Sequence, residues 1–561
     1  MPHSFTRRRF LREGGAAALG LALAPAWHIE AAPSFDLVLK GGTLLDGTGA
    51  PAWQADIGLV GDTIAALGAI TPEQGRRLLD IAGLHVAPGF IDIHSHSDGD
   101  ILVYPGAESR VFQGVTTEVT GNCGYSAAPL AGVDAEARRR SWIEEEGMEA
   151  DWTDVASYFA RLEKTGIAIN QALLLGQGTL RQNAIGLVDR PLTPEELAGV
   201  LRAVEEGLDH GAFGLSTGLE YTPGSYTPTD EIVAMARVVA RRGGLYASHI
   251  RNEEAMLLEA VNEALEIGRR AGLRVEVSHL KAAGQANWTK QRAALDLIES
   301  ARRVGIDVLA DAYPYTAYST GLTIFLSPAD REGGEAAIVR RLRDPATRAR
   351  LRREVAERVR TDPGGFDLIV ISRVRTEKNR PAVGRNLEEI ATGWNTEPVE
   401  ALLRLLEEEE ASVGFIGHGM SAENVEMVLS HPLVMIGSDG SAMAPVGRAA
   451  QARPHPRSYG TYSRVLQHFV RERRLFDLPT AVKKMTSMPA DQLGLRDRGR
   501  LARGQKADLV VFDAAGVVDR ASFTDPHQYP VGIEHVLVNG ALVVEQGRPT
   551  GARPGRVLRK S

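Results

Sequence analysis

Val86-Ala87-Pro88-Gly89-Phe90-Ile91-Asp92-Ile93-His94-Ser95-His96 is an apolar run that ends in two histidines spaced i and i+2. Side chains of a strand alternate between its faces, so both imidazoles leave the same face and can reach one ion. A histidine pair on one strand is weak evidence alone, and partners elsewhere decide its meaning. Three later runs supply such partners. His249 ends Leu245-Tyr246-Ala247-Ser248-His249, His279 ends Val275-Glu276-Val277-Ser278-His279, and Asp439 ends Met435-Ile436-Gly437-Ser438-Asp439. Four histidines and an aspartate on four strand ends offer neutral nitrogen and hard oxygen donors, a set suited to zinc.

Between these runs, short β-branched apolar segments alternate with amphipathic helical stretches, the pattern of parallel strands joined by helices. Eight candidate strand ends fall near His94, Thr120, Gly176, Leu219, Ser248 to Ile250, Ser278 to Lys281, Tyr313 and Asp439. Most carry a polar residue just after the apolar run, where a TIM barrel builds its active site. The fold expected is therefore α/β, a TIM (β/α)8 barrel over residues 89–495. An open Rossmann-like sheet is the rival, but no Gly-x-Gly-x-x-Gly opens a helix after the first strand. Residues 33–88 and 496–561 alternate apolar and polar residues with glycine turns, which predicts a small β-sandwich domain assembled from the two terminal segments. Charged helical patterns from about 327 to 413 predict an inserted helical subdomain.

The chain has 561 residues, ample for a barrel of roughly 250 residues with attachments. Its net charge of -7, with arginines dispersed among acids, leaves no basic footprint for nucleic acid. Residues 1–32 read as an export signal, since Arg7-Arg8-Arg9-Phe10-Leu11 precedes a weakly apolar Gly/Ala/Leu stretch. The expected destination is the periplasm or the medium by twin-arginine export, with that machinery as a partner and no stable membrane anchor. Cys123 is the only cysteine, which excludes a disulfide framework and leaves a lone thiol in an oxidising compartment unless it is buried or metal-bound.

With these residues in place, the sequence resembles the N-acyl-D-amino-acid deacylase (D-aminoacylase) family of the metal-dependent amidohydrolase superfamily. The resemblance covers nearly all of the mature chain. It is carried most specifically by Gly114-Val115-Thr116-Thr117-Glu118-Val119-Thr120-Gly121-Asn122-Cys123-Gly124, Gly214-Leu215-Ser216-Thr217-Gly218-Leu219, Asp311-Ala312-Tyr313-Pro314-Tyr315, Ile436 to Gly440, and His455-Pro456-Arg457. It implies that Cys123, rather than a lysine or Glu220, takes the metal-bridging position. Cys123, His249 and His279 would then hold one tight zinc, and His94, His96 and Asp439 would surround a second, weaker position. Zinc polarises a scissile carbonyl and activates water near neutral pH. Asp439 would accept the water proton and deliver it to the leaving amine. By the same resemblance Lys281, Tyr313, Ser319 and Arg457 form the set that binds the substrate α-carboxylate.

One position departs from the family. A histidine is usual in its Gly-His-x-Thr-Leu-Arg segment, whereas this chain reads Gly176-Gln177-Gly178-Thr179-Leu180-Arg181. Glutamine cannot titrate but can donate a hydrogen bond, so Gln177 is read as a polariser of the substrate carbonyl. The expected reaction is hydrolysis of N-acyl-D-amino acids to a carboxylate and a free D-amino acid. The alternatives are a related substrate (an N-acyl-D-glutamate or aspartate, a D-peptide or a cyclic amide) or a non-catalytic exported zinc-binding protein, against which the intact Asp439 argues.

Overall fold

Residues 34–560 are described by a computed structural model. The expected export signal lies outside the described residues. Eight parallel strands form the central sheet: β1 (Phe90–Asp92), β2 (Val115–Thr120), β3 (Asn170–Gly176), β4 (Gly214–Gly218), β5 (Leu245–His249), β6 (Arg274–Val277), β7 (Val308–Ala312) and β8 (Val434–Ile436). Each pairs with its neighbour in chain order. Every residue of β2, β3, β4 and β5 is buried, which is why these strands read as continuous runs rather than alternating ones. The ring closes just beyond β1 and β8. The Asp439 N–H donates to the His94 carbonyl at 2.8 Å, and the His96 N–H donates to the Gly440 carbonyl at 2.8 Å. Barrel closure itself therefore brings His94, His96 and Asp439 together.

The outer helices begin where the local chemistry places them. Thr193 caps the helix Pro194–Asp209 in a box with Glu196, and Pro194 fills the first turn, where a missing N–H costs nothing. Val200, Val204 and Leu208 then fall on one buried face. Between the barrel and its helix layer, Arg110 of the helix Glu108–Val111 and Glu118 of β2 pair at 2.6 Å with both side chains fully buried, so part of that layer is ionic rather than aliphatic.

The two terminal segments meet in one nine-stranded sheet, joined where His85–Pro88 runs antiparallel to Leu509–Phe512. Leu39, Ile57, Ile64 and Val86 from the first segment share a core with Leu509, Val511 and Leu537 from the second. The two terminal segments thus build the small β domain expected from the sequence, their strands joined through one hydrogen-bonded sheet around a shared core. The C-terminal segment does more than complete this domain. Its tail follows the barrel, with the Leu558 N–H on the Gln171 carbonyl at 2.7 Å and the Lys560 N–H on the Gly211 carbonyl at 2.9 Å.

The insertion is wider than its helical pattern implied. It opens at Tyr318–Gly321 and closes at Gly414–Gly417, two strands that pair antiparallel with each other, and Ile369–Arg373 extends them into a three-stranded sheet. Its helices include Gly334–Arg343, Pro345–Thr361, Leu387–Trp394 and Pro398–Glu408, packed on a core of their own that holds Leu342, Leu351, Leu402 and Phe415. The flanking strands are four residues each, too short to show periodicity in sequence. Ser319 lies on the first of them, so the insertion contributes directly to the barrel mouth.

Candidate metal centre and active-site cavity

The turn after β2 sets the position of Cys123. Gly121, Cys123 and Gly124 all have positive φ (77°, 50° and 74°), and a Cβ on Gly121 would lie 1.9 Å from the Leu174 carbonyl oxygen of β3. Only glycine fits that approach. Two other candidate ligands, His279 and Asp439, also sit at positive φ, 33° and 52°. Such conformations cost about 1–3 kcal/mol each for a non-glycine residue and persist where surrounding contacts fix them. For Asp439 those contacts include Asp92 of β1, which accepts from the Ser438 N–H at 2.9 Å and from the Ser438 hydroxyl at 2.5 Å.

The six candidate ligands form two groups that share one atom. The Cys123 Sγ lies 3.4 Å from His94 Nε2, 3.4 Å from His279 Nε2 and 3.8 Å from His249 Nδ1, and the last two nitrogens are 3.0 Å apart. A tetrahedral zinc with ordinary Zn–S and Zn–N bonds separates its donors by about 3.3–3.6 Å, so this spacing suits one ion. On the other side, Asp439 Oδ1 lies 2.8 Å from His96 Nε2 and 3.5 Å from His94 Nε2. Cys123 belongs to both groups, whereas Glu220 stands behind His249, its Oε2 3.2 Å from Nε2.

Three of the imidazoles turn one nitrogen to the centre and the other to a carboxylate: His94 to Asp311 at 3.3 Å, His249 to Glu220 at 3.2 Å, and His279 to Glu253 at 2.9 Å. Carboxylates placed behind histidines fix ring orientation and raise ligand basicity at zinc sites. Charge tells the same story. Burial pushes the imidazoles down, yet the surrounding anions prevail and raise His94 well above its ordinary value, His96 to about 9 and His249 to about 10. Burial pushes the Cys123 thiol up, yet His94 and His279 hold it well below the usual thiol range. Donors that draw protons for lack of positive charge are donors that fit a divalent cation.

The centre opens into a cavity of about 630 Å³. His96, Cys123, His249, His279 and Asp439 line it, as do Lys281, Tyr313, Ser319 and Arg457. Arg457 donates to Asp439 Oδ2 at 2.6 Å and lies over the Tyr313 ring, 5.0 Å from its centroid. Lys281 donates to both oxygens of Glu253, at 2.5 and 2.6 Å. Burial pushes Asp439 up, but the Arg457 guanidinium and the neighbouring imidazoles hold it well below the usual carboxylate range.

Gln177 is placed differently from its expected role. It is fully buried and does not line the cavity; its amide donates to the Thr227 hydroxyl at 2.8 Å. The helix Gln177–Ile185 starts at this residue and turns the side chain under the Gly224 loop, so the neighbouring Gly178 and Thr179 face the cavity instead. The polariser reading is corrected accordingly. Sequence reasoning also missed Glu253, Glu254, Arg358 and Asp362. Glu253 could have been sought four residues after His249, but the other three are joined only by the insertion's return to the mouth.

The chain is similar to known amidohydrolases along most of its length. The amidohydrolase family model matches residues 77–544. An N-acyl-D-glutamate deacylase of Alcaligenes xylosoxydans xylosoxydans is 39% identical over 526 residues, covering 94% of this chain and 96% of the relative. A D-aminoacylase of the same organism is 37% identical, covering 94% and 98%. Among solved structures, the N-acyl-D-glutamate deacylase of Bordetella bronchiseptica, complexed with zinc and a phosphonate mimic of the tetrahedral intermediate, superposes with a TM-score of 0.80 at 37% identity, covering 94% of this chain and all of that one. A cysteine shared by two groups of histidines at the mouth of a closed barrel, on a chain this similar end to end, places the protein in the N-acyl-D-amino-acid deacylase (D-aminoacylase) family of the amidohydrolases.

Proposed function

We propose that this chain hydrolyses the amide bond of N-acyl-D-amino acids, releasing a carboxylate and a free D-amino acid. One observation carries the reading: the Cys123 and Asp439 groups and the cations Lys281 and Arg457 line the same cavity. Cys123, His249 and His279 would hold the tight zinc, with His94, His96 and Asp439 around a weaker position. Bound there, zinc supplies Lewis acidity that polarises the scissile carbonyl and makes water nucleophilic near neutral pH.

This chain's own groups do the rest. Arg457 and His96 keep Asp439 ionised and fixed, ready to take the proton of the attacking water on a carboxylate oxygen. The same oxygen then gives that proton to the amide nitrogen as the amine leaves, a base turned acid in one turnover. Arg457, Lys281, Tyr313 and Ser319 hold the α-carboxylate, the guanidinium as a planar fork and the ammonium as a point charge. The relatives that act on N-acyl-D-amino acids support the D configuration. Zinc-loaded protein should cleave N-acetyl-D-methionine at least about tenfold faster than its L enantiomer, measured as kcat/KM from released amine; equal rates, or cleavage of the L form alone, would refute the stereochemical assignment.

Export belongs to the same reading. Arg7-Arg8-Arg9 ahead of the Gly/Ala/Leu stretch supports twin-arginine export to the periplasm or medium, a route open to a folded, zinc-filled protein. Replacing Arg7, Arg8 and Arg9 with lysine should retain the protein in the cytoplasmic fraction. Unchanged fractionation would count against this route.

A further inference from the structure

One buried carboxyl group below the metal centre has no part in the mechanism. Glu276 lies on β6 between Val275 and Val277, whose side chains pack outward against the helices. Strand alternation therefore turns Glu276 inward, into an interior that also holds Ile91, Ile93, Leu309 and Met435. It is 1% exposed, and no N–H or neutral O–H of another described residue reaches either of its oxygens. Its strongest electrostatic neighbours are Asp311, His94 and Asp92, none of them a lysine or an arginine. An unpaired carboxylate in such a place is costly, whereas a neutral acid needs only an acceptor.

That acceptor is Asp311 of β7. Glu276, Asp311 and His94 each bring one polar atom within 4.8 Å of the others, and the two carboxyl groups hydrogen-bond each other. Such a bond needs one hydrogen. Both Asp311 oxygens already accept, Oδ1 from the His279 N–H at 3.1 Å and Oδ2 from His94 Nδ1 at 3.3 Å, which leaves the hydrogen on Glu276. Burial and the Asp311 charge act in the same direction, pushing the Glu276 carboxyl well above the usual range.

Asp311 in turn serves both ligand groups. It fixes the His94 ring, and it holds the main chain of His279 at the residue whose φ is 33°. The space is closely cut. A Cβ on Gly437, just after β8, would lie 2.8 Å from Asp311 Oδ1 and 2.9 Å from the His94 Cβ. We propose that Glu276 is a positioning residue: its acid hydrogen bonds Asp311, and through Asp311 it holds the His94 ring and the His279 backbone at the geometry the metal centre requires. The proposal rests on the zinc-dependent deacylase reading and adds a support beneath the ligands already named.

The test uses the full chain loaded with zinc, and in parallel with cobalt(II), as wild type, Glu276→Gln and Glu276→Leu. Glutamine keeps the length of the side chain and donates an N–H to Asp311, so with N-acetyl-D-methionine this variant should keep kcat within about threefold of wild type. Leucine suits the aliphatic neighbours but cannot donate. Glu276→Leu should lose about 10- to 100-fold in kcat, the range for a residue that orients a ligand, with KM within about twofold because the α-carboxylate set is untouched. The visible absorption bands of the cobalt protein report ligand geometry, and they should shift in Glu276→Leu but not in Glu276→Gln. Should leucine prevent folding, Glu276→Met, which also lacks a donor, takes its place. Wild-type activity with an unchanged cobalt spectrum in the apolar variant would show that the carboxyl only fills space, and equal losses in both variants would show that donation to Asp311 is not its role. Either result overturns the proposal. A wild-type protein that binds zinc but cleaves no N-acyl-D-amino acid would overturn the deacylase reading instead, and the cobalt spectra would still decide the role of Glu276.

Discussion

Cys123→Ala protein will purify without its tightly bound zinc and will lose on the order of 10³-fold in kcat/KM, the loss of several kcal/mol of transition-state stabilisation. The thiol is the atom common to both ligand groups, within 3.4 to 3.8 Å of three imidazole nitrogens. Removing it leaves His249 and His279 as a two-nitrogen site, short of the three protein ligands usual at catalytic zinc. Glu220→Gln is the informative control. Glu220 lies behind His249 rather than between the groups, so this variant should keep its zinc with a smaller loss, in the about 10- to 100-fold range seen for residues that orient a ligand. Metal analysis of both proteins, alongside circular dichroism to confirm folding, decides the point. A Cys123→Ala protein with full zinc content and full activity would remove the thiol from the site.

Asp439→Asn should lower kcat by about 10²- to 10⁴-fold, the range for loss of a positioned acid–base group, while retaining the ion held by Cys123, His249 and His279. Asparagine is close in shape and can still face His96 and Arg457, but it cannot accept the water proton. The sign of the pH dependence follows from the site. With Asp439 held well below the usual carboxylate range, its base form persists as pH falls through the mildly acidic region, so protonation of this residue does not set an acid limb near its ordinary value. Retained zinc with retained kcat would assign Asp439 to ligation alone, whereas zinc lost together with kcat would merge its role with that of the cysteine.

Reading the fold from sequence worked where the physics was local. The strand ends near Thr120, Gly176 and His249 were legible because each short apolar run stops at a residue that ends a strand or tolerates the barrel mouth. His94, His96, His249, His279 and Asp439 could be collected by the same rule. Cys123 could not, since a lone cysteine in a glycine-rich turn has no period to follow, and only the family resemblance singled it out. Gln177 shows the opposite error: its motif position implied a role at the substrate, but the turn of the helix it begins carries the side chain away from the cavity.

The sequence by itself determined the barrel, the two-part terminal domain and the donor types, because strand periodicity, helix caps and ligand chemistry are written over a few neighbouring residues. Tertiary structure alone decided which donors share an ion and which charges share a wall. Cys123 meets His279 across 156 positions, and Arg358 meets Glu220 across 138. Such meetings depend on ring closure between β1 and β8 and on the fold of the insertion, each the sum of many distant contacts. Short stretches of sequence do not encode that sum.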